Sequence, residues 1–184
     1  MSQSRRIVIT GFMGAGKTTL ARELARVLAC DAIDLDEFIT AREGRSPREL
    51  IDREGEAAFR AIESRALGDV LVTKAARVVA LGGGAWTIER NRAAVKAEPD
   101  CFTVWLDAPF ELCWERIAVP AGDDGERPLA RERGSARALY DERRTLYGLA
   151  DARVEVGAGD DVRVVAECVL MLAKDDGGPW GGKS

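Results

Sequence analysis

The chain has 184 residues, 46% hydrophobic and 32% charged, with a formal charge of −4; that suits one compact domain burying roughly 70% of its unfolded surface and excludes disordered, collagen-like and disulfide-scaffold chains. The mild acidity excludes a general nucleic-acid binder, which needs a basic face to release counterions from phosphates, so an anion site must be local. Histidine is absent, which removes imidazole bases, Ser-His-Asp triads and histidine metal ligands and leaves acid–base work to carboxylates.

Short β-type runs alternate with longer helical patterns, which predicts an α/β fold with a parallel sheet wrapped by helices. The first strand runs from Arg6 to Thr10, and a helix follows from Lys17 to Ala29, where Leu20, Leu24, Val27 and Leu28 recur on one stripe. Ala32 to Asp36 reads as the second strand. Ser46-Pro47-Arg48-Glu49 reads as a capping box with proline at the first helical position, and Gly55 ends that helix. The next helix starts at about Glu56 and buries Phe59 and Ile62. Arg77 to Leu81, Phe102 to Leu106 and Arg153 to Val156 complete the strands. Residues 121–126 are polar and glycine-containing, as a mobile loop requires. Residues 174–184 read as a flexible tail and 1–173 as one domain without repeats. Cys30, Cys101, Cys113 and Cys168 lack C-x-x-C spacing and sit in apolar surroundings, so all four are expected to be buried, reduced thiols of a cytoplasmic protein. Neither an export segment nor an uncharged stretch of about 18 apolar residues is present, so no membrane insertion is expected.

Immediately after the first strand comes Gly11-Phe12-Met13-Gly14-Ala15-Gly16-Lys17-Thr18, matching G-x-x-x-x-G-K-[ST] and opening into a helix. Glycines let the backbone curl so that successive N–H groups converge on phosphate oxygens, and the helix N-terminus adds partial positive charge. Lys17 is expected to reach the β- and γ-phosphates of a nucleoside triphosphate, with the Thr18 hydroxyl on Mg²⁺.

Two carboxylates compete for the metal. Asp34 and Asp36, spaced by two at the end of the second strand, are expected to point to the same side of it, about 7 Å apart. Asp107 ends the apolar run Phe102 to Leu106, as the metal-binding aspartate of many ATPases does, but it lies two residues before Pro109, a position that favours a helix cap. Asp34 is therefore favoured for the metal, and Asp36 for accepting or positioning a substrate hydroxyl proton. Gly82-Gly83-Gly84 follows an apolar strand, so its bare backbone either eases the strand exit or lets a small ligand approach its N–H groups. Arg60 on a helix, Arg127 ending the polar loop and Arg143 late in the following helix are suited to a substrate carboxylate or to transition-state charge.

In this order and spacing, Gly11–Thr18, Asp34-Leu35-Asp36, the segment Gly55–Glu63 with Arg60, Gly82–Ala85, Arg127-Pro128-Leu129 and Arg143–Tyr147 resemble the shikimate kinase family from Ile7 to about Val156. The resemblance implies a three-layer α/β/α P-loop kinase with a five-stranded parallel sheet in the order 2-3-1-4-5 and a lid at about 118–130. It implies transfer of the γ-phosphoryl group of ATP to the 3-hydroxyl of shikimate, with Mg²⁺, in a monomer that binds neither nucleic acid nor membrane. On this resemblance Lys17, Asp36 and Arg127 are catalytic. Gly14, Ala15, Gly16, Lys17, Thr18, Thr19, Arg116 and Arg127 bind the nucleotide. Asp36, Arg60, Gly82, Gly83, Gly84 and Arg143 bind shikimate, and Thr18 with Asp34, through water, holds the metal. Thr145 departs from the pattern, which usually has proline there. The alternatives are a kinase for another small hydroxy acid such as gluconate or for a nucleotide, and a non-catalytic nucleotide-binding module.

Overall fold

The computed structural model describes residues 5–118 and 132–174. Within them β1 (Arg6–Thr10), β2 (Ala32–Asp34), β3 (Val78–Ala80), β4 (Cys101–Asp107) and β5 (Ala152–Glu155) form one parallel sheet in the order β2-β3-β1-β4-β5, as the resemblance implies. Ile7, Val8 and Ile9 of β1 are β-branched and buried on both faces, which is what a central parallel strand demands. In register, Ile7 lies beside Val78 on one side and Phe102 on the other. β2 and β5, with partly exposed residues, are the edges.

Helices α1 (Lys17–Leu28) and α8 (Val162–Lys174) pack together, α1 also reaching β2 and β3 and α8 reaching β5. Helices α2 (Leu35–Glu43), α3 (Pro47–Glu54), α4 (Glu56–Thr73) and α5 (Glu89–Ala97) form a second group built around α4, which buries Phe59, Ile62, Ala66, Leu67 and Val70. Helices α6 (Phe110–Ala118) and α7 (Arg133–Tyr147) pack on each other through Phe110 and Tyr140, whose ring centroids are 5.5 Å apart. The capping box at Ser46 is formed on both sides: its hydroxyl accepts from the Glu49 N–H at 3.3 Å, and its own N–H donates to Glu49 Oε2 at 2.8 Å. Gly55 closes α3 at φ 88°, a backbone state that suits glycine.

Three expectations are corrected. The second strand stops at Asp34 rather than Asp36, because the Asp34 carboxylate accepts from the Asp36 N–H at 3.0 Å and caps α2, turning the chain into a helix two residues early. Asp107 caps no helix among the described residues: its carboxylate is held by Arg144 of α7 at 2.8 Å and Arg153 of β5 at 2.6 Å. The four thiols are free, but only Cys113 is buried; Cys30 and Cys101 are half-buried and Cys168 is exposed on α8. The expected lid at about 118–130, apart from Ala118 at the end of α6, the loop at 121–126 and the tail beyond Lys174 lie outside the described residues. No described helix is long and apolar enough to cross a membrane.

Candidate active site

All five strands are parallel, so the segments leaving β1, β2, β3 and β4 emerge on one edge of the sheet, where a doubly wound fold collects its ligands. The loop leaving β1 curls through Gly14 at φ 78° and Gly16 at φ 99°, the latter capping α1 without a side-chain hydrogen bond. No larger residue fits at Gly14, where a Cβ would lie 2.6 Å from the Cys113 carbonyl of α6. Lys17 is buried and donates to the Phe12 carbonyl at 3.0 Å, so its ammonium lies over the curl. The Thr18 hydroxyl donates to Asp34 Oδ2 at 2.5 Å, joining the loop to the end of β2. On the far side a cavity of about 330 Å³ is lined by Ala15, Gly16, Thr19 and Arg116, with Leu20, Leu106 and Val165 as an apolar wall. Arg116 Nη1 donates to the Gly14 carbonyl at 3.0 Å.

The other side of the same loop borders a second cavity, of about 100 Å³, lined by Met13, Asp36, Arg60, Glu63, Gly82 to Gly84 and Arg143. Every acceptor-binding residue expected from the sequence is therefore gathered in one place. Asp36 reaches it from the first turn of α2 rather than from a strand, while Asp34 faces Thr18, so the two carboxylates serve neighbouring regions and not one face of a strand. The triple glycine lies against the phosphate loop: a Cβ on Gly83 would sit 3.2 Å from the Met13 nitrogen. At Gly84 a Cβ would overlap the Arg60 guanidinium. Arg60 is held by Glu63 at 2.8 Å and by Glu56 at 3.1 Å. Arg143 donates to the Gly83 carbonyl at 3.2 Å, and α7 continues unbroken through Thr145 to Tyr147, whose hydroxyl donates to the same carbonyl at 2.5 Å. Burial pushes the Tyr147 hydroxyl well above the ordinary phenol range, so it stays a donor.

Arg127 lies outside the described residues. Sequence reasoning assigned no role to Glu63 and Tyr147, nor to the pair Arg144 and Arg153. The i+4 spacing of Glu56 and Arg60 and the i+3 spacing of Arg60 and Glu63 were the available signal for a carboxylate clamp on that arginine. Asp107, Arg144 and Arg153 line a third and larger cavity of about 450 Å³, and both guanidiniums stack on Trp105, with centroid distances of 5.4 Å and 4.9 Å. That cluster ties α7 to β4 and β5 and leaves Asp107 committed to two arginines.

Residues 13–173 match the family model described as Shikimate kinase. The chain belongs to the shikimate kinase family. It is 34% identical to the shikimate kinase of Persephonella marina over 89% of this chain and 96% of that one, and 37% identical to that of Geobacter sulfurreducens over 93% and 92%. Among solved structures, the shikimate kinase of Acinetobacter baumannii in complex with shikimate superimposes with a TM-score of 0.82 at 33% identity, covering 92% of this chain and 93% of that one. A gluconokinase from Sinorhizobium meliloti at 15% identity and TM-score 0.61 shares the fold alone.

Proposed function

We infer that this shikimate kinase family member transfers the γ-phosphoryl group of ATP to the 3-hydroxyl of shikimate, giving shikimate 3-phosphate and ADP. One observation carries the reading: a single curled loop forms the wall between a nucleotide-sized cavity and a small one furnished with a carboxylate, two arginines and bare glycine backbone. That arrangement suits a small hydroxylated acid presented in line with a terminal phosphorus, and phosphoryl transfer asks mainly for such alignment and for charge neutralisation.

In this reading the backbone from Gly14 to Thr19, with the Lys17 ammonium, cradles the β- and γ-phosphates, and Arg116 packs beside the adenine. Arg60 and Arg143 grip the carboxylate of shikimate, the N–H groups of Gly82 to Gly84 approach its hydroxyls, and Asp36 accepts the 3-hydroxyl proton. Arg127 neutralises charge on the transferring group from a lid spanning about 118–130. The Thr18 hydroxyl and Asp34 carboxylate form an all-oxygen pair at the mouth of the cradle, which fits Mg²⁺, a hard cation that keeps several waters and is held by few protein ligands. Thr18 would hold it directly and Asp34 through water. When bound there, the ion would neutralise negative charge on the triphosphate. The enzyme works as a cytoplasmic monomer, which light scattering of the purified protein tests.

The functional test is ADP release from pure, folded protein with shikimate, gluconate and nucleoside monophosphates as acceptors. Turnover is expected with shikimate, and its absence would defeat the reading. For the metal, Asp34→Asn will shift the Mg²⁺ dependence of turnover, whereas Asp107→Asn will leave it unchanged and lower thermal stability, because two arginines lose their shared partner. The opposite ranking in a Mg²⁺ titration would move the metal to Asp107.

A further inference from the structure

Glu63 is a buried ionisable group that the roles above leave unused. It lies on the inner face of α4 with 1% of its surface exposed. Its Oε2 accepts from the Arg60 guanidinium at 2.8 Å, but its Oε1 is buried with no hydrogen-bond partner among the described residues. A buried acceptor left unpaired is destabilising, and more so when it carries charge, so the fold keeps this oxygen against its own interest.

The same oxygen converges with Asp36. A carbon added to Gly82 would lie 2.7 Å from Asp36 Oδ1 and 2.9 Å from Glu63 Oε1, so the two oxygens border one small space that only glycine leaves open. Both residues also line the acceptor cavity. Carboxylates that border one such space can pass a proton through one bridging water.

Resting on the reading that Asp36 takes the acceptor's hydroxyl proton, we propose that Glu63 is the next proton acceptor, receiving at Oε1 the proton that Asp36 has taken. The electrons of the acceptor O–H bond enter the new P–O bond, and the bond from the γ-phosphorus to its bridging oxygen breaks with its pair leaving on ADP. The proton passes from the hydroxyl to Asp36 and from Asp36 to Glu63, so Asp36 is again an anion for the next acceptor, and Glu63 releases the proton to solvent after the product departs. Nothing is oxidised or reduced. Glu63 acts through Asp36 and is a positioning residue for the proton, not a group that touches the substrate.

The charged groups that face Glu63 are Asp36 from α2, Arg60 from its own helix and Arg143 from α7, with Arg48 of α3 also lining the cavity. Burial is the largest influence and pushes the Glu63 carboxyl up to about 7, opposed by Arg60 and Arg143 and reinforced by Asp36. The sign of the pH dependence follows. Glu63 must be ionised to accept, so turnover is full above about 7 and is lost as the pH falls through that value.

The test is kcat at saturating ATP and shikimate as a function of pH. The wild-type enzyme should show an acid limb with a midpoint near 7, and a flat profile between roughly pH 5.5 and 8.5 would overturn the proposal without any variant having to fold. Glu63→Gln keeps an oxygen for Arg60 but removes the basic site. It should lower kcat at least ~10-fold and abolish the acid limb, while the shikimate KM stays within ~3-fold. Glu63→Asp should retain the limb. A Glu63→Gln enzyme with unchanged kcat, a raised KM and the limb intact would make Glu63 only a brace for Arg60 and overturn the relay. A wild-type enzyme that ignores shikimate would sink the acceptor assignment instead, and the relay with it.

Discussion

Asp36→Asn will cut turnover at least ~10²-fold, the scale of positioned acid–base help, and leave ATP binding largely intact. The expectation rests on how α2 begins. Its cap is Asp34, whose Oδ1 accepts from the Asp36 and Glu37 N–H groups and whose Oδ2 accepts from the Thr18 hydroxyl, so Asn at position 36 leaves both the helix start and the phosphate loop unchanged. The substitution removes the basicity of the oxygen facing Gly82. Steady-state kinetics with shikimate and calorimetric titration with an ATP analogue measure the two halves separately. Turnover close to wild type would end the assignment of Asp36 as proton acceptor, whereas loss of nucleotide affinity would place it in the phosphate site.

Gly82→Ala will lower kcat/KM for shikimate by about 10²-fold, the effect expected when reacting groups are misplaced by about 1 Å. The added Cβ would lie 2.7 Å from Asp36 Oδ1 and 2.9 Å from Glu63 Oε1, closer than carbon tolerates oxygen. Neither carboxylate can withdraw cheaply: Asp36 is a short side chain in the first turn of a capped helix, and Glu63 is tied through its other oxygen to Arg60. Gly68→Ala supplies the control. It lies inside α4 with no atom within 4 Å of its Cβ position, so the change should stabilise the fold by about 0.5–1 kcal/mol and leave the kinetics alone. Equal losses of activity in the two variants would mean that alanine harms the enzyme by some route other than the contact with Asp36 and Glu63.

The central strands were legible because their burial is written in composition: Ile7-Val8-Ile9 and Phe102 to Leu106 are apolar runs that can only be satisfied on both faces of a sheet. The phosphate loop was equally legible, since its glycines answer to backbone geometry that no other residue supplies at Gly14. The end of β2 was not. Alternating Asp-Leu-Asp reads as strand, yet the first aspartate caps a helix, and local hydrogen bonding overrode the pattern. Asp107 misleads for a related reason. Its place two residues before Pro109 reads as a helix cap, but Arg144 and Arg153 hold its carboxylate from elements 37 and 46 residues away, and only the fold brings them to it. Glu63 lies on a helix face whose burial depends on where α2, β3 and α7 end, so the sequence held the residue within a motif without revealing its orphaned oxygen. Cys168 was misjudged because apolar neighbours along α8 do not say which side of the helix meets the sheet.

Helix α7 fastens two strand ends, those of β3 and β4, with one stretch of eight residues. The Tyr140 hydroxyl donates to the Ala108 carbonyl at 2.9 Å, Arg144 holds Asp107, and Arg143 and Tyr147 both hold the Gly83 carbonyl. Gaining or losing one residue between Tyr140 and Tyr147 would rotate the final turn by about 100°, and no compensating bend could restore all four attachments. In this chain that stretch can therefore accept substitutions but not a change of length, and engineered insertions should be placed elsewhere.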